Sequence, residues 1–166
     1  LFQGLPTAEK SVLIIKKAVD LGVYAVVGVA AKRSLLKLDA KKEGAKLARW
    51  QGIAEAAAKQ SRRRVIPQIH PVMTMKEAAA YASGMDVGLI PYELAEGMGK
   101  TKELVSSLHG GQSVAVFIGP EGGFEESEIG LAREAGIEPV TMGRRILRTE
   151  TAGLTMLSWI MYQLEN

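Results

Sequence analysis

Short runs of apolar and β-branched residues alternate with helical patterns along the whole chain, and this alternation most constrains its fold. Ser113–Ile118 is the clearest such run, and the Glu125–Ala135 segment after it has the acidic first turn that favours a helix start. Parallel strands need crossover connections, which are usually helices. The sequence therefore predicts one α/β domain over residues 1–166, with a mostly parallel sheet and helices on both faces.

Capping residues, stop signals and apolar spacing place the other elements. Helices are predicted from Thr7 to Leu21, at Lys42–Lys59, from Thr74 to Ala82, at Lys100–Leu108 and at Glu150–Leu164. Strands are predicted at Tyr24–Val29, Asp86–Ile90 and Pro139–Met142, and Val65–Ile69 is predicted as a short or edge strand because Pro67 interrupts it. No element is assigned to residues 1–4.

Composition excludes several classes of protein and site. The chain has no cysteine, which rules out a disulfide scaffold, thiolate catalysis and a cysteine-ligated metal. No apolar run is long enough to span a membrane, and we expect a cytoplasmic location with no membrane partner. His70 and His109 lack metal-ligand spacing, so no metal site is expected.

The net charge of +3 is unevenly distributed. Between Lys32 and Arg64 the segment holds eleven Lys or Arg and three acidic residues, a balance of +8, so the rest of the chain sums to −5. This concentration indicates a polyanion partner or a solvated lysine-rich helix face, and the sequence leaves both open. Arg62, Arg63 and Arg64 are candidates for contacting a phosphate backbone and are equally consistent with solvated surface charge.

Three predicted strands are each followed by a loop rich in Gly, Pro or charge. Ile118–Phe124 is Gly-rich and carries Glu121, which disfavours phosphate and suits a positive or hydroxyl-rich ligand, although a tight turn without a ligand remains an alternative. Met142–Ala152 carries three arginines and Thr149 as a helix cap, and in Asp86–Glu93 the strand is closed by Pro91. Such loops at neighbouring strand ends predict a cleft.

The last helix is apolar on more than one side, which indicates a partner subunit.

These motifs, in this order and at this spacing, resemble the RsmE-type 16S rRNA (uracil-N3)-methyltransferases of the SPOUT class. The resemblance rests on Gly119–Phe124, the acidic helix after it and Met142–Ala152, and it extends over essentially the whole chain. It implies a C-terminal trefoil knot, a homodimer packed partly through the last helix, S-adenosylmethionine as cofactor and 16S rRNA as partner. The small N-terminal PUA-like barrel usual in the family is expected to be absent from this chain.

By similarity, the cofactor would contact residues of all three loops. They are Leu89, Ile90, Pro91, Ile118, Gly119, Pro120, Glu121, Gly122, Gly123, Met142, Gly143, Arg145, Ile146, Leu147 and Thr151.

The implied reaction transfers a methyl group to N3 of a uridine, an atom on the Watson–Crick edge, so the base must be unpaired or extruded. We expect Arg148 to stabilise the developing uracil anion and Arg144 to anchor phosphate or base, while Glu121 or Glu150 takes the proton or orients an arginine. A SPOUT ribose 2′-O-methyltransferase and a non-catalytic RNA-binding or dimerisation module remain the alternatives.

Overall fold

The computed structural model describes residues 1–95 and 97–165, and their centre is a sheet of six parallel strands. The strands are β1 (Phe2–Gly4), β2 (Ala25–Ala30), β3 (Gln68–Thr74), β4 (Val87–Pro91), β5 (Val114–Ile118) and β6 (Glu138–Val140). Their spatial order is β3-β2-β1-β5-β4-β6, and each pairing between these strands is parallel. The predicted parallel α/β architecture is confirmed.

Helices cover both faces of this sheet because alternate strand residues point to opposite sides. The helices are α1 (Ala8–Asp20), α2 (Ala40–Gln60), α3 (Met75–Ala82), α4 (Met98–Ser106), α5 (Glu126–Glu134) and α6 (Thr149–Leu164). Val26 and Val116 belong to an apolar cluster with α1, α2 and α6, whereas their neighbours Val27 and Phe117 belong to a second cluster with α3 and α5. Within the described ranges, none of them combines the length and the apolar character that crossing a bilayer requires.

Strand β1 occupies residues to which the sequence assigned no element. It lies in the middle of the sheet, between β2 and β5, and its Phe2 ring stacks on Phe117 with ring centroids 4.4 Å apart. Three residues are too few to show an alternating pattern, so a buried central strand of this length leaves no periodic signal. Because β1 lies beside β5, its position determines which segment of the chain lies next to the loop after β5.

Strand β3 begins three residues later than predicted and continues to Thr74, so the predicted strand at Val65–Ile69 is wrong in its bounds. It is an edge strand, as predicted, and its Pro71 is tolerated there. The register against β2 shifts by one residue, because His70 pairs with Val27 and Met73 with Val29. The backbone N–H of Val72, inside this bulge, donates to Glu43 Oε1 at 2.8 Å.

At the amino edge of the sheet, a carboxylate joins the segments that lead into β4 and β5. Asp86 Oδ2 accepts hydrogen bonds from the Ser113 backbone N–H at 2.7 Å and from the Ser113 hydroxyl at 3.0 Å. These two hydrogen bonds, helped by the nearby His109, hold the pKa of Asp86 below its ordinary value.

We expect Asp86→Asn to make the stability of the protein less sensitive to acid. Since the folded-state pKa is the lower one, the carboxylate stabilises the fold above its unfolded pKa of about 3.9, and this contribution disappears as pH falls through the folded value. Thermal unfolding from neutral pH to pH about 2 should show the wild-type Tm converging on that of the variant. A Tm difference that is the same at every pH would contradict this role.

Candidate functional site

The loops after β4, β5 and β6 meet at the carboxyl edge of the sheet and enclose a cavity of about 430 Å³. Crevices at this edge are where open α/β sheets bind ligands, and the volume falls within the usual range for small-molecule sites. The structure therefore brings the three predicted loops together. The predicted residues that line the cavity are Pro91, Ile118, Gly119, Pro120, Glu121, Gly122, Gly123, Met142, Gly143, Arg144, Arg145, Ile146, Leu147 and Arg148.

Four predicted site residues do not line the cavity. Leu89 and Ile90 are fully buried, one in each apolar cluster, because they lie within β4 rather than in the loop after it. Thr151 is exposed on α6. Glu150 does not line the cavity, but it forms an ion pair with Lys10, which does.

The wall formed by the β5 loop is made of closely packed backbone. A Cβ atom on Gly119 would lie 3.0 Å from the Cα of Gly123, closer than such contacts are normally found. Gly123 itself has φ +73°, a left-handed conformation that side-chain-bearing residues seldom adopt. This side of the cavity therefore presents main-chain groups to a ligand.

Thr149 is not the helix cap that the sequence predicted. The capping position of α6 is Arg148, whose side chain makes no capping bond, and Thr149 is the first helical residue. Its buried hydroxyl donates to the Gly119 carbonyl oxygen at 2.6 Å and accepts from Gln3 Nε2 at 2.9 Å. The hydroxyl turns inward because the part-buried carbonyl and the buried amide both need a partner. It thereby fixes the β5 loop to the start of α6.

A lysine that the sequence analysis did not single out lies between the two predicted acidic residues. Lys10 Nζ is 3.4 Å from Glu150 Oε2 and 3.8 Å from Glu121 Oε1, and Lys10 lines the cavity. Glu121 Oε1 also accepts the Thr7 backbone N–H at 3.1 Å. These carboxylates therefore pair with a lysine, not with an arginine. Lys10 could not be predicted because β1 was not. A strand at residues 2–4 would have placed the first turn of α1, which carries Lys10, at this edge of the sheet.

The cavity is lined by more positive than negative side chains. Arg33, also absent from the predicted set, donates from Nη1 to the Gly122 carbonyl oxygen at 2.9 Å. Across the described ranges, no group of three potential metal-ligating side chains occurs. The charged residues of the lining are Lys10, Arg33, Arg144, Arg145 and Arg148 against Glu93 and Glu121.

The Arg62–Arg64 run lies at the opposite edge of the sheet, because it connects the end of α2 to the start of β3. Arg63 is half-buried and donates to the carbonyl oxygens of Val23 at 2.7 Å and Val19 at 3.2 Å, at the end of α1. Burial lowers the pKa of this guanidinium. Arg62 and Arg64 are exposed, and RNA binding by this run stays a prediction.

We expect Thr149→Val to lower the free energy of unfolding by about 1 to 3 kcal/mol, since the part-buried Gly119 carbonyl and one N–H of the buried Gln3 amide lose their partner. Urea unfolding measures the change. Thr149→Ser keeps the hydroxyl and should recover most of the loss, so equal destabilisation by the two variants would exclude the hydrogen bonds as its cause.

Comparison with known proteins places this fold and cavity in a family. A family model described as RNA methyltransferase domain matches residues 1–161.

Two curated relatives are named ribosomal RNA small subunit methyltransferase E. The one from Bacillus subtilis is 39% identical over 98% of this chain and 64% of its own length. The one from Mesomycoplasma hyopneumoniae is 36% identical over 87% of this chain and 60% of its own length. The chain thus spans less than two thirds of these relatives.

A solved structure supports the same family. It is a ribosomal RNA small subunit methyltransferase E from Neisseria gonorrhoeae bound to S-adenosyl methionine, with a TM-score of 0.85 and 31% identity, and the match covers 99% of this chain and 65% of that one. Because the family model matches nearly the whole chain, this protein belongs to the RNA methyltransferase family that the model describes.

Proposed function

We propose that this chain is a methyltransferase domain that uses S-adenosylmethionine to methylate N3 of a uridine in 16S rRNA. The observation that carries the proposal is the cavity at the carboxyl edge, enclosed by the same loops that resemble those of the uracil-N3 methyltransferases. The names of the relatives and the S-adenosyl methionine in the Neisseria gonorrhoeae structure support it. With this substrate, the proposed location is the cytoplasm.

The residues of the cavity fit S-adenosylmethionine, which combines a flat apolar base with hydroxyl, carboxylate and cationic groups. Ile146 is 85% exposed although it lines the cavity, and a bound aromatic base would cover this side chain. The backbone of Gly119–Gly123 offers hydrogen-bonding groups at close approach. Arginines and Glu121 supply charge partners for the two ends of the amino-acid moiety. When bound, S-adenosylmethionine supplies the electrophilic methyl group.

The chain's own charged residues would prepare the uracil. Loss of the N3 proton leaves negative charge on the ring, and a preorganised cation lowers the free energy of that anion. We propose that Arg148, at the capping position of α6, and Lys10, held by Glu121 and Glu150, provide this charge. Arg144 would anchor the nucleotide, and Glu121, which lines the cavity, would accept the proton.

We also propose the trefoil knot and the homodimer for this chain. After edge strand β6, the segment 141–148 runs along the cavity formed by the β4 and β5 loops, and α6 then starts beside Gly119 in the middle of the sheet. This return path supports a threaded C-terminal segment. Tyr162, 87% exposed near the end of α6, supports a partner subunit on that helix.

Isothermal calorimetry with S-adenosylmethionine tests the cavity as the cofactor site. We expect binding by the wild type and at least about tenfold weaker binding by Ile146→Asp, because a charge would face the apolar part of the ligand. Val65→Asp is the matched control, since Val65 is also exposed but precedes β3 at the opposite edge. Absence of binding by the wild type would remove every methyltransferase assignment.

Mass spectrometry of nucleosides from 16S rRNA treated with protein and cofactor tests the target atom. We expect 3-methyluridine, whereas a ribose-methylated nucleoside would contradict N3 as the acceptor.

Arg148→Ala and Lys10→Met should each lower kcat by about 10²-fold, since one preorganised charge is lost. Lys16→Met, an exposed position on the same helix as Lys10, is the control. Full activity in either site variant would exclude that residue from the reaction.

A further inference from the structure

Helix α2 divides the basic segment of the chain between the two edges of the sheet. The helix has 21 residues and is therefore about 30 Å long. Lys37, Lys41 and Lys42 lie at its start, which follows the carboxyl end of β2, on the same edge as the cavity. Arg62 and Arg64 lie after its end, on the opposite edge. The sequence shows one basic segment, but the fold makes two basic sites.

The three lysines at the start of α2, here called the α2-start cluster, are exposed, and none forms an ion pair within residues 1–95 and 97–165. The acidic residues nearest in sequence bind backbone groups instead. Asp39 Oδ1 accepts the Lys42 backbone N–H at 2.8 Å, and Glu43 Oε1 accepts that of Val72 at 2.8 Å. The lysine charges therefore face solvent without ion-pair partners.

The α2-start cluster connects with the cavity through the loop after β2. Arg33 in this loop lines the cavity and is fixed to the Gly122 carbonyl oxygen. The preceding Lys32 is fixed by its ammonium group to Ser127 at 2.9 Å and to Glu125 at 3.3 Å. The loop that leads from β2 to the cluster is therefore anchored at the edge of the cavity. At the other end of α2, Arg63 donates to carbonyl oxygens at the end of α1, and the exposed cations there are Lys59, Arg62 and Arg64.

We propose that the α2-start cluster binds the backbone phosphates of single-stranded RNA next to the nucleotide held in the cavity. Exposed ammonium groups without ion pairs bind phosphate with release of counterions, independently of base sequence. The identity of the nucleotide in the cavity rests on the proposed function, but the phosphate contacts require only RNA. Arg62 and Arg64, at the opposite edge, form the alternative site at which the phosphates could bind.

Fluorescence anisotropy with a fluorescein-labelled 20-nucleotide oligouridylate tests the proposal. The variants are Lys41→Gln/Lys42→Gln and the charge-matched control Arg62→Gln/Arg64→Gln. We expect the lysine pair to weaken binding at least about tenfold and to reduce the slope of log K against log salt by about 1.4, which corresponds to two lost phosphate contacts on a single strand. The arginine pair should change affinity less than about twofold.

Three outcomes would overturn the proposal: no binding by the wild type, equal losses from both pairs, or a loss from the arginine pair alone. Unchanged Tm and unchanged calorimetric binding of S-adenosylmethionine in the lysine pair show that its fold and cavity are intact. If the wild type failed to bind the cofactor but the lysine pair still lost RNA affinity, the proposed function would fail and the RNA surface would stand.

Discussion

The geometry of the cavity depends on one buried hydroxyl group. Thr149 links Gln3 in the first strand to the Gly119 carbonyl oxygen in the β5 loop, and it follows directly after Arg148. Two walls of the cavity, the Gly-rich backbone and the arginine segment, are thereby held at a fixed separation. Because the Thr149 hydroxyl and the Gln3 amide are buried, the alternative to their hydrogen bonds is an unpaired polar atom, and this keeps the arrangement well defined.

The elements that have strong periodic signals could be predicted from the sequence. Elements whose place depends on tertiary contacts could not. β5 is a β-branched run and α3 begins with a capping box formed by Thr74 and Glu77, so both were predicted within a residue or two. The central β1 has three residues and no visible period. β3 runs through Pro71, and only its place at the sheet edge and its bulge make that acceptable.

The same distinction applies to the site. The Gly119–Phe124 and Met142–Arg148 loops are contiguous motifs, so their meeting in one cavity could be predicted from neighbouring strand ends. Lys10 and Arg33 reach the cavity because the sheet order places β1 next to β5 and β2 next to β1. A single sequence does not encode that order in any local pattern. For the same reason the basic segment could not be divided between the two edges before the fold was known.

The central place of the first strand also governs the order in which the molecule assembles. Phe2 pairs with Val27 on one side and with Phe117 on the other, so one neighbour is local and the other lies near the far end of the chain. Closing so long a loop is entropically slow, and during synthesis β1 must wait for β5 to be made. The β5 wall of the cavity therefore forms only once two segments far apart in the chain have come together.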